Sequence, residues 1–233
     1  SGKGTVTPLG VIYENGMEME QLYGGTVFPQ YFYKSDYVIS AYLTRKDDSQ
    51  QNAKAAWFCF PEPDCCLNKA LMRLGVSKLE ECKLYVADTP GLPDPLGETV
   101  RQECGYDSLN QLSRLVCGFD DSERAKLCSV ADYAHVDTCT DLVRLAENLD
   151  QFRFAPKAAN FEECGKYLMA DAGGFASGDD PDAFDYKKYV DDLICGKNGR
   201  FVKGGFIYTE HDINKILHPD QETDETIGFE LDG

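Results

Sequence analysis

Cations are scarce in this sequence: 23 Lys and Arg stand against 40 Asp and Glu, which leaves a formal net charge of −17 over 233 residues. A surface of that sign repels phosphate, so nucleic acid and anionic membrane are excluded as partners and a basic protein surface is favoured. No apolar run approaches the ~18 residues needed to cross a bilayer. The opening residues lack the charged, apolar and small-residue succession of a secretory signal. No CxxC is present to anchor a structural zinc, and the three histidines, His135, His211 and His218, form no HExxH. Ten cysteines are too sparse in a chain of this length for a secreted disulfide scaffold. The predicted setting is therefore the cytoplasm, with reduced thiols, several of which (Cys59, Cys117, Cys128, Cys164, Cys195) fit as small buried hydrophobes. No catalytic, cofactor-binding or metal-binding residue is predicted.

What is present is enough for a core: 42% of residues are hydrophobic and 12% aromatic, unlike an acidic disordered chain. Residues 1–35 are rich in Gly and Tyr and read as an irregular or hairpin extension. The runs Tyr37 to Leu43 and Ala55 to Phe60 are β-branched and aromatic, separated by a polar loop from Arg45 to Lys54. Asp64 then caps a helix through Leu67, Leu71 and Leu74 that stops at Gly75, and Lys83 to Ala87 is a third strand. This makes a ββαβ unit. The Pro- and Gly-rich segment from Thr89 to Gly105 reads as a loop and a domain boundary. Three short helices follow, one capped by Asp107 or Ser108, one over about 122–133 and one over about 140–148. A last unit opens with Asn160 as a cap and Glu163 returning the bond. Its helix is broken by Gly173-Gly174, a second helix covers about 184–194, and a single strand covers 200–209. The predicted fold class is α+β, an elongated chain of three small domains: 36–104 mixed, 105–157 helical, 158–217 α+β. An N-terminal extension (1–35) and an acidic tail (218–233) flank them.

Chemical motifs are weak. Asp88-Thr89-Pro90-Gly91 looks like a GTPase metal-proximal element, yet no phosphate loop ending in Gly-Lys-Ser/Thr accompanies it. The run 179–185 lacks the alternating acids, central Gly and distal Glu of a calcium loop. Cys65-Cys66 reads as a helix start. A Cys nucleophile paired with His135 or His211 is left open as an enzyme reading, and an acidic regulator of another basic DNA-binding protein as a binding one.

The acid is unevenly spread. Residues 94–192 hold 21 acids and 10 Lys or Arg, whereas residues 1–93 are only −2. Glu162 with Lys166, Lys187 with Asp191 and Lys188 with Asp192 stand at helical i,i+4 spacing. Elsewhere compensation is thin. The candidate partner-binding surface is Asp120, Asp121, Glu123, Asp132, Asp137, Asp141, Glu147, Asp150, Glu162, Glu163, Asp171, Asp179, Asp180, Asp182, Asp185, Asp191 and Asp192. Duplex DNA carries two charges per base pair, so a charge of −17 equals roughly eight to nine base pairs.

The order of motifs resembles the ArdA-type antirestriction proteins of conjugative elements and plasmids. The resemblance runs through Asp36-Tyr37-Val38-Ile39-Ser40-Ala41-Tyr42, Ala56-Trp57-Phe58-Cys59-Phe60-Pro61, Leu84-Tyr85-Val86-Ala87-Asp88 and Tyr106 to Leu115. It continues in Leu142 to Phe152 with Glu147-Asn148-Leu149-Asp150, which is similar to the family's short antirestriction motif. Gly165-Lys166-Tyr167-Leu168, Phe184 to Tyr189, Gly205-Phe206-Ile207-Tyr208 and His211 complete it. It covers about residues 36–217; residues 1–35 and the acidic tail have no counterpart in it. The resemblance implies an elongated, usually dimeric mimic of bent B-DNA that occupies the DNA groove of type I restriction-modification enzymes. It also implies a homodimer contact through the apolar residues of the last unit, whose other reading is that unit's own core.

Overall fold

The computed structural model describes residues 4–7, 10–13, 37–47, 54–63, 65–102, 104–175, 180–194 and 198–219. Within them the chain is mixed α+β, with eight α-helices and small antiparallel sheets. Strands β1 (Gly4–Thr7) and β2 (Gly10–Tyr13) pair as a hairpin inside the predicted extension. The predicted tail from residue 220 onward, the cap Asp64 and the helix-ending Gly196 lie outside the described residues.

The first three-stranded sheet has the order β4-β3-β5, with β3 at Ile39–Arg45, β4 at Ala55–Phe60 and β5 at Cys82–Asp88. Period-2 alternation sends Ile39, Ala41, Leu43, Ala56, Phe58 and Phe60 inward, where all six are buried. Helix α1 (Cys65–Leu74) covers that face with Ala70, Leu71 and Leu74 and ends at Gly75, whose φ of 71° suits a glycine.

The segment 89–105, predicted as a loop, contains helix α2 (Asp94–Gln102). Prolines do not prevent it, because they sit at its start: the Pro93 carbonyl accepts the Gly97 N–H at 3.0 Å, and Pro95 falls in the first turn, where its missing N–H has no helical partner to lose. Leu96 and Val100 drive the burial. Helix α3 (Tyr106–Val116) begins one residue before the predicted cap, with Gly105 at the N-cap. Tyr106 is buried edge-on against Phe58 and Phe60, ring centroids 5.1 and 5.2 Å away, and this packing sets the start. Helices α4 (Asp121–Ala134) and α5 (Cys139–Glu147) follow as predicted, capped by Asp120 and Thr138.

The second sheet differs most from expectation. Strand β6 (Phe152–Pro156), which no sequence signal marked, pairs with β8, and the single strand predicted over 200–209 is a hairpin of β7 (Asn198–Val202) and β8 (Gly205–Thr209). A Cβ on Gly205 would lie 2.2 Å from the Ala155 carbonyl oxygen, so only glycine lets β8 approach β6 there. Helices α6 (Phe161–Asp171) and α7 (Tyr186–Ile194) pack beside this sheet, and α8 (Ile213–Leu217) closes the described chain.

Buried apolar residues form two clusters. The larger is continuous from Val38 and Phe60 through Leu109, Leu127 and Leu142 to Phe152, Ile207 and Ile216; the smaller joins Cys164, Leu168, Val190, Phe206 and Tyr208. A buried amide ties the first sheet to the helices: Asn110 Oδ1 accepts the Glu62 N–H at 2.8 Å and its Nδ2 donates to the Glu62 carbonyl at 2.9 Å.

Candidate functional site

Of the seventeen predicted acids, Asp179 lies outside the described residues, Asp141 is half-buried, and the other fifteen are exposed. They ride on the outer faces of α4, α5, α6 and α7 and on the connections between them. This follows from patterning: the inner faces are taken by Leu127, Val130, Leu142, Leu145, Cys164, Leu168 and Val190, leaving the carboxylates on the solvent side.

Not all of these carboxylates are equally free. Asp120 Oδ1 accepts the Glu123 N–H at 2.8 Å while the Glu123 carboxylate accepts the Asp120 N–H at 2.9 Å, a reciprocal cap on α4. Asn160 caps α6 through the Glu163 N–H, as predicted, but the Glu163 carboxylate reaches one residue further back, to the Ala159 N–H at 2.8 Å. Asp180 and Asp185 accept backbone N–H groups of Asp182 and Lys188. Asp141 takes the Thr138 hydroxyl and Arg144, and Glu147 takes Gln111. Among the described residues Asp121, Asp137, Asp150, Asp171, Asp191 and Asp192 make no such structural bond.

Three arginines of the same stretch also serve the backbone. Arg124 donates to the carbonyls of Gly91, Val116 and Phe119, Arg114 to that of Glu62, and Arg144 to that of Leu217. These guanidiniums satisfy orphan carbonyls at helix ends and loops. Between residues 94 and 192, ion pairs among the described residues are Arg101–Glu98 at 3.8 Å, Arg144–Asp141 at 3.2 Å and Lys166–Glu162 at 2.7 Å. Lys187 and Lys188 stand one turn from Asp191 and Asp192 without closing to ion-pair distance. Sequence reasoning missed three further exposed acids, Asp94 and Glu98 on α2 and Asp107 on α3; the Glu98-x-x-Arg101 spacing was the available signal.

The Cys and His candidates fall in two places. Cys128, Asp132 and His135 line a groove of about 1250 Å³ between α2, α4 and the β7–β8 turn. Burial, and then the Asp132 charge, push the Cys128 thiol up, which works against a thiolate nucleophile. The His135 imidazole is engaged by Arg200 Nη1 at 3.1 Å. His211 lines a separate recess of about 500 Å³ with Arg144, Glu147, Asp212 and Lys215, and no cysteine lines it. Among the described residues no cluster of His, Cys, Asp and Glu is arranged to hold a metal ion, and no helix is long and apolar enough to cross a membrane.

Of the apolar residues of the last unit, Phe206, Ile207 and Tyr208 are buried within the chain itself, whereas Tyr167 is exposed. No curated protein matches this chain. The family model described as antirestriction protein (ArdA) matches residues 52–208, two thirds of the chain, and runs from β4 through helices α1 to α7 and the second sheet in one stretch, with β3 before it and α8 after it. The chain therefore belongs to the ArdA family of antirestriction proteins.

Proposed function

We propose that this protein acts as an acidic mimic of B-DNA that occupies the DNA-binding groove of type I restriction-modification enzymes, as a homodimer in the cytoplasm. The units at 36–104, 105–157 and 158–217 would lie along an elongated body carrying the seventeen candidate acids on its outer surface. A groove that binds duplex DNA must be strongly basic, and a rigid acidic surface answers it without bases. The observation that carries the reading is where the arginines of the acid-rich stretch point. Arg114, Arg124 and Arg144 donate to backbone carbonyls, Arg144 while also pairing with Asp141, and fifteen of the candidate carboxylates are exposed to solvent as phosphates would be.

The test is competition. Purified type I restriction complex is challenged with duplex DNA and increasing amounts of this protein, and cleavage is expected to fall with a midpoint that rises as DNA is raised. Unchanged cleavage at large excess of protein would defeat the type I assignment.

A further inference from the structure

Arg124 stands in the first turn of α4, and the four residues before it include three exposed acids, Asp120, Asp121 and Glu123. Its half-buried guanidinium employs all three of its nitrogens, each on a different carbonyl. Nε donates to Phe119 at 3.2 Å, Nη2 to Val116 at 3.1 Å and Nη1 to Gly91, 33 residues earlier in the chain. Val116 ends α3, Phe119 precedes α4 and Gly91 lies in the turn between β5 and α2, so one planar fork joins three parts of the fold.

The Gly91 end of this tie is itself fixed. Its N–H donates to the Val38 carbonyl at 3.0 Å, and a Cβ on Gly91 would lie 2.6 Å from the Val38 Cα, so the turn is pressed against the start of the first sheet. Helix α2 begins three residues later and carries the exposed Asp94 and Glu98. Two groups of acids, one on α2 and one at the start of α4, therefore ride on elements that Arg124 joins.

Resting on the mimicry reading above, we propose that Arg124 is a positioning residue for inhibition: it sets the spacing between the acids of α2 and those at the start of α4, and so the pattern of charge that a basic groove meets. A plain count of charge and this role give opposite signs. Replacing Arg124 by a neutral residue takes the chain from −17 to −18, which strengthens attraction to a basic partner where charge alone decides. Where spacing decides, the same replacement weakens inhibition, because the cations of a DNA groove are set out for phosphates at fixed intervals and displaced acids miss them. Lysine keeps the charge but offers one nitrogen on a flexible stem, which cannot span three carbonyls.

The test compares full-length wild type, Arg124→Gln and Arg124→Lys in the cleavage competition and, with no enzyme present, by amide hydrogen exchange. Arg124→Gln is expected to need about threefold to tenfold more protein for half-inhibition, and Arg124→Lys to fall between it and wild type. In Arg124→Gln, exchange is expected to quicken at the amides beside the tie, Gly91, Leu92 and Glu123, while those of β3 and β4 keep their protection. That contrast separates a released tie from a misfolded chain. Arg124→Gln inhibiting as well as wild type or better would overturn the proposal, and so would unchanged exchange at those three amides. A wild type that leaves cleavage untouched defeats the type I reading and the role in inhibition with it, whereas the exchange experiment still reports whether Arg124 holds the turn and the helix together.

Discussion

Asp120 shows how one carboxylate serves fold and surface together. Its side chain closes the first turn of α4 through the Glu123 N–H, and its charge stands at the positive end of that helix. Asparagine keeps the acceptor and removes the charge, whereas alanine removes both. Asp120→Asn is therefore expected to leave stability within about 0.5 kcal/mol, and Asp120→Ala to cost about 1 kcal/mol. Urea unfolding of the three proteins measures this, and an equal loss for Asn and Ala would assign the effect to charge rather than to the cap. The distinction governs any mutational reading of the acidic surface: Asp120, Glu123, Glu163, Asp180 and Asp185 are stitched into backbone, so truncating them reports on folding as well as binding. Asn110 is the uncharged counterpart. Only 6% exposed, it satisfies both the N–H and the C=O of Glu62, a pairing that few side chains besides an amide can make.

Helices and strands were legible where local signals agree. Helix α1 carries leucines at helical spacing and a terminal glycine, β3 and β4 are β-branched and aromatic runs, and α4 has a reciprocal cap at its start. Helix α2 was hidden because Pro93 and Pro95 signal a loop when position within the helix is ignored; both prolines stand at its beginning, where they are compatible with it. Strand β6 was hidden because five residues carry too little periodicity, and its pairing with β8 depends on contacts about fifty residues away. Lys203-Gly204 was a turn signal, obscured by apolar residues running on both sides of it. Close approach between elements was equally invisible. Gly165 on α6 has the Tyr186 carbonyl oxygen 2.5 Å from where a Cβ would be placed, so α6 and α7 pack backbone to backbone. Gly165→Ala gains helix propensity but must push α7 away, and a net loss of about 1–3 kcal/mol is expected. Thermal unfolding checks the sign: a stabilised variant would mean that the two helices separate at no cost.

At the scale of the whole molecule the −17 behaves as a distributed property rather than a site. The acids were legible from sequence because charge needs no tertiary structure to be counted. What the count left out is the fate of the cations: the burial of Arg124 and Arg144 guanidiniums against carbonyls depends on which loops meet which helices. Distribution has a measurable consequence. Asp137, Asp150, Asp171 and Asp191 are exposed and cap no helix, so their conversion to Asn removes charge with little risk to the fold. An exposed charge facing an opposite one contributes about 0.2–1 kcal/mol. Each single change is then expected to raise the concentration giving half-inhibition of restriction by less than about fivefold. The four together amount to about 1–4 kcal/mol, a loss of roughly fivefold to nearly a thousandfold. Salt separates this from a packing defect. The screening length shortens from about 10 Å at 0.1 M to about 3 Å at 1 M, so the gap between wild type and quadruple variant is expected to narrow as salt rises while wild-type inhibition weakens. A gap that persists unchanged through the salt series would mean that the four acids act through structure, and a single substitution that abolishes inhibition would mean that the partner reads one residue instead of a field.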